Sequence, residues 1–197
     1  MVSPQDILEY WFGPMSADDY PADNGEIWWK KNPDLDAEIK DRFGAALAAS
    51  ARGELDHWRK DKAARLAHII LVDQMSRNMH RDSADMYAQD DLAQELSLLC
   101  AISDDFYGGY YERMFQHMPL MHAENLALQR LCEHLFEREV AMSDGDVRKA
   151  AANNLDYATK HRVIIERFGR FPHRNKILGR ESTADEIEFL KQPGSSF

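Results

Sequence analysis

The sequence predicts an all-α protein of antiparallel helical hairpins, with seven or eight helices in one domain over residues 1–197. Three observations predict it. Apolar residues recur at the three- and four-residue spacing of a helix face along nearly every segment, and no run alternates as a half-buried strand would. Capping and stop residues cut the chain into helix-length pieces. The links between those pieces are mostly short, which favours antiparallel neighbours. No clean internal repeat is visible, so spacing alone does not establish a regular array.

Ser3 followed by Pro4 supplies an N-cap and a first-turn proline, and Gly13-Pro14 stops the first helix after Trp11-Phe12. Met15 to Lys31 is rich in Asp, Pro and Gly and reads as a loop. It carries Trp28-Trp29, of which at least one is expected to dock on the body. Asn32-Pro33 opens a second helix, whose Leu35, Ile39, Phe43 and Leu47 repeat every four residues, and Gly53 closes it. A third helix runs from about Asp61 to Met75 on the apolar face of Leu66, Ile69 and Ile70, with Asp73 in phase with that face. Asp90 caps a helix containing Leu92, Leu96, Leu99 and Cys100. The linker Ser103 to Gly109 leads to a helix ending near Met118-Pro119, since proline marks a kink or a junction. The next helix, from about His122 to Val140, buries Leu126, Leu131, Leu135 and Phe136. Ser143-Asp-Gly-Asp begins the longest helix, which carries Val147, Ala151, Leu155, Ala158 and Ile165 and ends at Phe168-Gly169. Ser182-Thr183 with Glu186 forms a capping box for a last short helix anchored by Ile187 and Leu190. The tail 192–197 is expected to fray.

The chain holds 34 acidic against 24 basic residues, a formal charge of −10. Such a body repels nucleic acid and anionic membrane surfaces unless its basic residues are locally concentrated. They concentrate once, around Arg162 to Arg180. That patch suits a small anion and is a poor general nucleic-acid surface, so neither nucleic acid nor membrane is expected as a partner. No basic, apolar leader and no apolar run of membrane-spanning length stands in the sequence. The two cysteines, Cys100 and Cys132, sit inside apolar helical patterns and read as buried thiols of a reducing compartment. The expected location is therefore the cytoplasm. There is no GxGxxG, P-loop, GxSxG or informative Cys-His spacing, so nucleophilic catalysis has no specific support and no cofactor is expected.

Three constellations carry the candidate chemistry. Asp73, Gln74, Arg77 and Asn78 close an apolar helix, with Asp73 and Arg77 spaced to pair on one face. That pair is either a partly buried ion pair or the wall of a groove, and a second partner for Asp73 distinguishes the two. His117-Met-Pro-Leu-Met-His122-Ala-Glu124 offers two histidines and a carboxylate, but its proline breaks the spacing that a helical metal pair needs. No metal is expected there; His122 reads as a hydrogen-bonding residue and His117 as incidental. Arg167-Phe-Gly-Arg-Phe-Pro-His-Arg-Asn175 mixes cations with apolar rings in a way that suits neither core nor solvent. His161, Ile165 and Phe168 share the helix face leading into it, Gly169 permits a sharp exit, and Phe171-Pro172 imposes an extended turn. Arg170, His173, Arg174 and Asn175 can then converge. They form either an anion pocket, because guanidinium forks suit carboxylate and phosphate, or a knot in which arginines pair with acids such as Asp73 or Glu124.

Together these blocks resemble a bacterial domain-of-unknown-function family, number 924. The resemblance rests on Trp11-Phe12-Gly13, Leu71-Val-Asp73-Gln74-Met-Ser-Arg77-Asn78, Met118 to Glu124, Arg167 to Asn175, and Leu178 to Thr183. Met75-Ser76 stands where the family more usually has Phe-Pro. The resemblance implies a TPR-like, superhelical arrangement of the hairpins and no established activity. The expected function is a binding module with a groove for an anionic small molecule or peptide. Its candidate lining is Asp73, Gln74, Arg77, Asn78, His122, Glu124, His161, Arg170, His173, Arg174 and Asn175. The competing readings are a hydrolase or transferase using His122 or His173 as general acid/base, with Arg170 and Arg174 as an anion clamp, and a purely structural latch. An exposed Trp28 or Trp29 leaves a homodimer open.

Overall fold

Several helices begin where capping side chains stand. In the computed structural model, which describes residues 2–13 and 24–196, Ser3 and Asp6 form a reciprocal capping box that starts α1 (Pro4–Phe12). Gly13, at φ 81°, closes it by donating its amide to the Glu9 carbonyl at 2.9 Å. Pro14, the other half of the expected stop, lies outside the described residues, as do residues 15–23 of the expected loop.

The rest of that stretch is not loop throughout, because Gly25–Trp29 form a short helix, α2. Its cause is tertiary. The Trp28 indole donates to the Trp11 carbonyl at 2.9 Å, and its ring meets Phe115 edge-on at 5.1 Å while Trp29 stacks on Phe115 at 6.0 Å. Trp29 nevertheless remains 55% exposed.

Asn32 caps α3 (Pro33–Ala51) by accepting the amides of Asp34 and Leu35, and Ile39, Phe43 and Leu47 are buried on its inner face. A 3-10 turn, Asp56–Lys60, buries Trp58. Asp61 then caps α4 (Lys62–Ile69). The chain continues helically past the expected end, through a π turn (Ile70–Met75) into α5 (Ser76–Met79). In α6 (Asp90–Ser103) the expected cap, Asp90, is instead the first helical residue, because its carboxylate is used by Arg77. Buried Arg65 of α4 donates to the Cys100 sulfur of α6 at 3.2 Å and to the Asp105 carboxylate at 2.9 Å.

α7 (Tyr110–Met121) carries Pro119 inside its last turn. α8 (Leu126–Met142) starts four residues later than its periodicity suggests, because Asn125 accepts the amides of Ala127 and Leu128. Asparagine is the better N-cap, which leaves His122 and Glu124 in the link before the helix. α9 (Gly145–Phe168) runs antiparallel to α8: Arg130 pairs with Glu166, while Glu133 accepts from Thr159 and Arg162. Gly169 ends α9 in the left-handed region at φ 70°. The Thr183–Glu186 capping box starts α10 (Ala184–Phe189). Ile187, expected as its anchor, is half exposed; Phe189 takes that role by packing on Phe168 at 5.0 Å.

With α4, the π turn and α5 counted as one rod, the described residues form nine helical segments and no strand. None is long and apolar enough to cross a membrane. The chain divides into two compact units, Met1–Arg81 with Asp85–Pro119, and Asp82–Ala84 with Leu120–Phe197, so a boundary falls directly after Pro119. The first unit is centred on Ile7, Trp11, Ile39, Phe43, Leu66, Ile69, Leu71 and Phe115. The second is centred on Ile164, Ile165 and Phe171, with Leu126, Phe168 and Phe189 packed against them. Cys100 and Cys132 are both buried, and neither is in a disulfide.

Candidate functional site

The candidate lining divides between the units, with Asp73, Gln74, Arg77 and Asn78 in the first and the remaining seven residues in the second. Each group is a network in its own right.

In the first unit the π turn carries Asp73 and Gln74 into the interior, where Asp73 is 1% exposed. Isolated π turns inside α-helices are uncommon and recur at functional sites. Asp73 has the second partner that separates a simple ion pair from a network. Gln74 Nε2 donates to its carboxylate at 2.5 Å, and Arg77 approaches it at 3.1 Å. Arg77 also donates to Asp90 at 2.8 Å and lies 5.7 Å over the Tyr87 ring. Burial disfavours its charge, but Asp73 and Asp90 outweigh that and hold the guanidinium firmly protonated. One turn on, Asn78 and Arg81 both grip Asp36: Asn78 Nδ2 donates at 2.8 Å, Arg81 Nε and Nη2 at 2.7 and 2.8 Å. Burial pushes Asp36 up, yet these donors leave its carboxyl below the ordinary aspartate value.

In the second unit the link before α8 meets the turn after α9. Glu124 is the hub. Its Oε1 accepts the Phe171 amide at 2.8 Å and Arg180 Nη2 at 2.9 Å, and its Oε2 accepts Arg180 Nη1 at 2.6 Å. Burial raises Glu124, but those donors together keep it below its usual range. Arg180 Nε also donates to Asn175 Oδ1 at 3.0 Å, and Asn175 Nδ2 donates to the Ser182 hydroxyl at 3.0 Å. Arg170 forms a second fork, donating to both oxygens of Glu186 at 2.6 and 2.8 Å. That fork holds Glu186 down at about 2, and the same carboxylate accepts the Thr183 amide.

Around Phe171 a different chemistry gathers. The Arg174 guanidinium lies 4.5 Å over its ring, and the His161 and His173 rings each stand 5.5 Å from it. His122 stands 6.5 Å from His161. His161 is the hydrogen-bonded interior histidine its register suggests, with Nδ1–H donated to the Tyr157 carbonyl at 2.8 Å. Burial, reinforced by His122, Arg174 and His173, pushes its pKa down to about 3. Burial and then Arg174 push His173 down to about 4. Both imidazoles are therefore neutral at pH 7. Arg174 and Asn175 are buried, while His122 and His173 are half-buried.

Sequence reasoning missed Arg180 and Glu186 as members of this network. The available signals were that the basic stretch continues to Arg180, and that a capping-box glutamate keeps spare acceptor capacity on its carboxylate. Among the described residues no group of three or more His, Cys, Asp or Glu is placed to hold a metal ion.

A family model described as "Bacterial protein of unknown function (DUF924)" matches residues 7–194. A solved structure from Agrobacterium tumefaciens, the protein of unknown function ATU0120, is similar at 34% identity. The match covers 95% of this chain and 96% of that one, with a TM-score of 0.79. None of the curated proteins matches.

Proposed function

This chain belongs to the DUF924 family of bacterial proteins, and from that premise we propose that it is a helical binding module. Its ligand site is the imidazole–guanidinium cluster around Phe171, and its ligand is a small anion such as a phosphate- or carboxylate-bearing metabolite. One observation carries this reading: His161, His173 and Arg174 surround a single ring, with both imidazoles held neutral in part by that guanidinium. An anion received beside Arg174 makes protonation of the imidazoles easier, so binding tightens as pH falls from 7 towards 4. The half-buried His122 and His173 give the approach. The TPR-like arrangement of hairpins belongs to the same reading and draws support from the antiparallel α8–α9 pair.

A thermal-shift series of inorganic phosphate, sulfate, citrate and nucleoside monophosphates at pH 5 and pH 7 tests it. Expected is an anion that raises Tm for wild type, more at pH 5, and leaves Arg174→Ala unmoved. Equal response of both proteins, or of neither, overturns it.

A specific observation favours a second reading, a structural latch. The forks Arg180–Glu124 and Arg170–Glu186 tie the segment after α9 to the link before α8 and to α10. If the latch is the whole role, Arg180→Ala lowers Tm at pH 5 and pH 7 alike while no anion shifts the wild type.

A further inference from the structure

Away from the polar networks, the first unit carries a groove of about 470 Å³ between the outer face of α3 and the segment from Met79 to Gln89. Its floor is apolar and small-sided: Gly44, Ala45, Ala48 and Ala51 from α3, with Leu47 and Met79 beneath. Lys40, His80 and Gln89 stand among its lining, and Asp85 is its acid.

Two features mark the groove as more than surface relief. The first is Gly44, which sits in the interior of a 19-residue helix. Glycine there costs about 1 kcal/mol relative to alanine. Packing does not require it, because a Cβ at this position would meet nothing within 4 Å. What the missing side chain leaves is open groove. The second is charge. Among the described residues Lys40 makes no ion pair or hydrogen bond, whereas Asp85 already interacts within the protein. The groove therefore offers one unmatched positive charge beside an apolar floor.

We propose that this groove binds a monocarboxylate with an apolar chain, its head on the Lys40 ammonium and its chain over Gly44, Ala48 and Ala51. One cation matches a singly charged head, and His80 and Gln89 add hydrogen-bonding capacity. At roughly 30 Å³ per water-sized group the groove accommodates about fifteen such groups, so an acid the size of octanoate, about ten non-hydrogen atoms, fits within it. The site shares no residue with the Phe171 cluster and stands or falls separately from it.

The test uses the whole chain, with sodium octanoate as probe and octylammonium and octanol as controls. Binding is read by calorimetry and by NMR of the Met79 and Leu47 methyl groups. Octanoate is expected to bind one-to-one and about tenfold tighter than either control, and Lys40→Gln is expected to remove that tenfold preference. Gly44→Leu is expected to abolish binding while raising Tm, since its side chain occupies the groove and it replaces a helix glycine at which a Cβ meets nothing within 4 Å. A raised Tm shows that the variant folds. Arg174→Ala leaves the octanoate-induced shifts of the Met79 and Leu47 methyls unchanged. The proposal is overturned if octanoate does not shift the groove methyls, if octylammonium shifts them equally, if Gly44→Leu still binds, or if light scattering shows that a second copy of the chain occupies the groove.

Discussion

Replacing Arg180 by alanine measures how far the Glu124 hub holds the second unit together. The change removes two charge-assisted bonds to Glu124, at 2.6 and 2.9 Å, together with those to Asn175 Oδ1 and the Phe171 carbonyl, at 3.0 and 3.2 Å. The partners are 25% and 26% exposed, between two measured regimes. An exposed pair contributes up to about 1 kcal/mol, and breaking a buried one costs about 3–5 kcal/mol. The intermediate burial gives about 2 kcal/mol for Arg180→Ala, or roughly 4–8 °C in Tm for a chain of this size. Glu124→Gln keeps an acceptor for the Phe171 amide but loses the charge and the oxygen that accepts Arg180 Nη1, so about 1–2 kcal/mol is expected. The two changes share a partner, and a double-mutant cycle by urea denaturation should return a coupling of about 1 kcal/mol. The sign with pH follows from the depressed Glu124 pKa. The coupling is complete above its unfolded value of about 4.5 and fades as pH falls below it. Strict additivity at pH 7, or single variants melting within about 1 °C of wild type, would refute the reasoning.

Two further outcomes are expected. His68 is fully buried, with Nε2 2.7 Å from the Ser50 hydroxyl, and burial pushes it from 6.5 down to about 4. The unfolded chain takes up that proton first, so stability declines as pH falls from 6.5 to 4, by about 3 kcal/mol for this group. His68→Gln should flatten the decline in urea titrations across that window; an unchanged slope counts against the assignment. Gly169→Ala forces a side chain into φ 70° at the end of α9, which should cost about 1 kcal/mol and lower Tm by roughly 2–4 °C in calorimetry.

The helices were legible because local signals set them: Ser3, Asn32, Asp61 and Thr183 cap where their side chains predict. What escaped depended on contacts distant in sequence. α2 exists because Trp28 reaches Trp11 and Phe115, and nothing in its own composition encodes that reach. Asp90 looks like a cap until Arg77 claims its carboxylate. Within the candidate site, the meeting of Glu124 with the turn at Phe171 was legible, because both blocks mix polar and apolar groups. Which arginine would take Glu124 was not. Arg170, Arg174 and Arg180 are chemically equivalent as sequence, and only the turn geometry assigns Arg180 to Glu124 and Arg170 to Glu186.

The π turn at Ile70–Met75 bears on how this chain tolerates insertion and deletion. Winding one turn wider accommodates an extra residue and keeps the angular frame of everything after it. Removing one residue from that turn would restore a regular, locally favourable helix. Rewinding the same residues as a regular helix, with none removed, would instead rotate Arg77, Asn78 and Arg81 by about 100° around the axis, away from Asp90 and Asp36, the acids they hold. The irregular turn is thus a reading-frame device for the side chains downstream of it, and rewinding it in place would scramble a network while leaving the backbone intact.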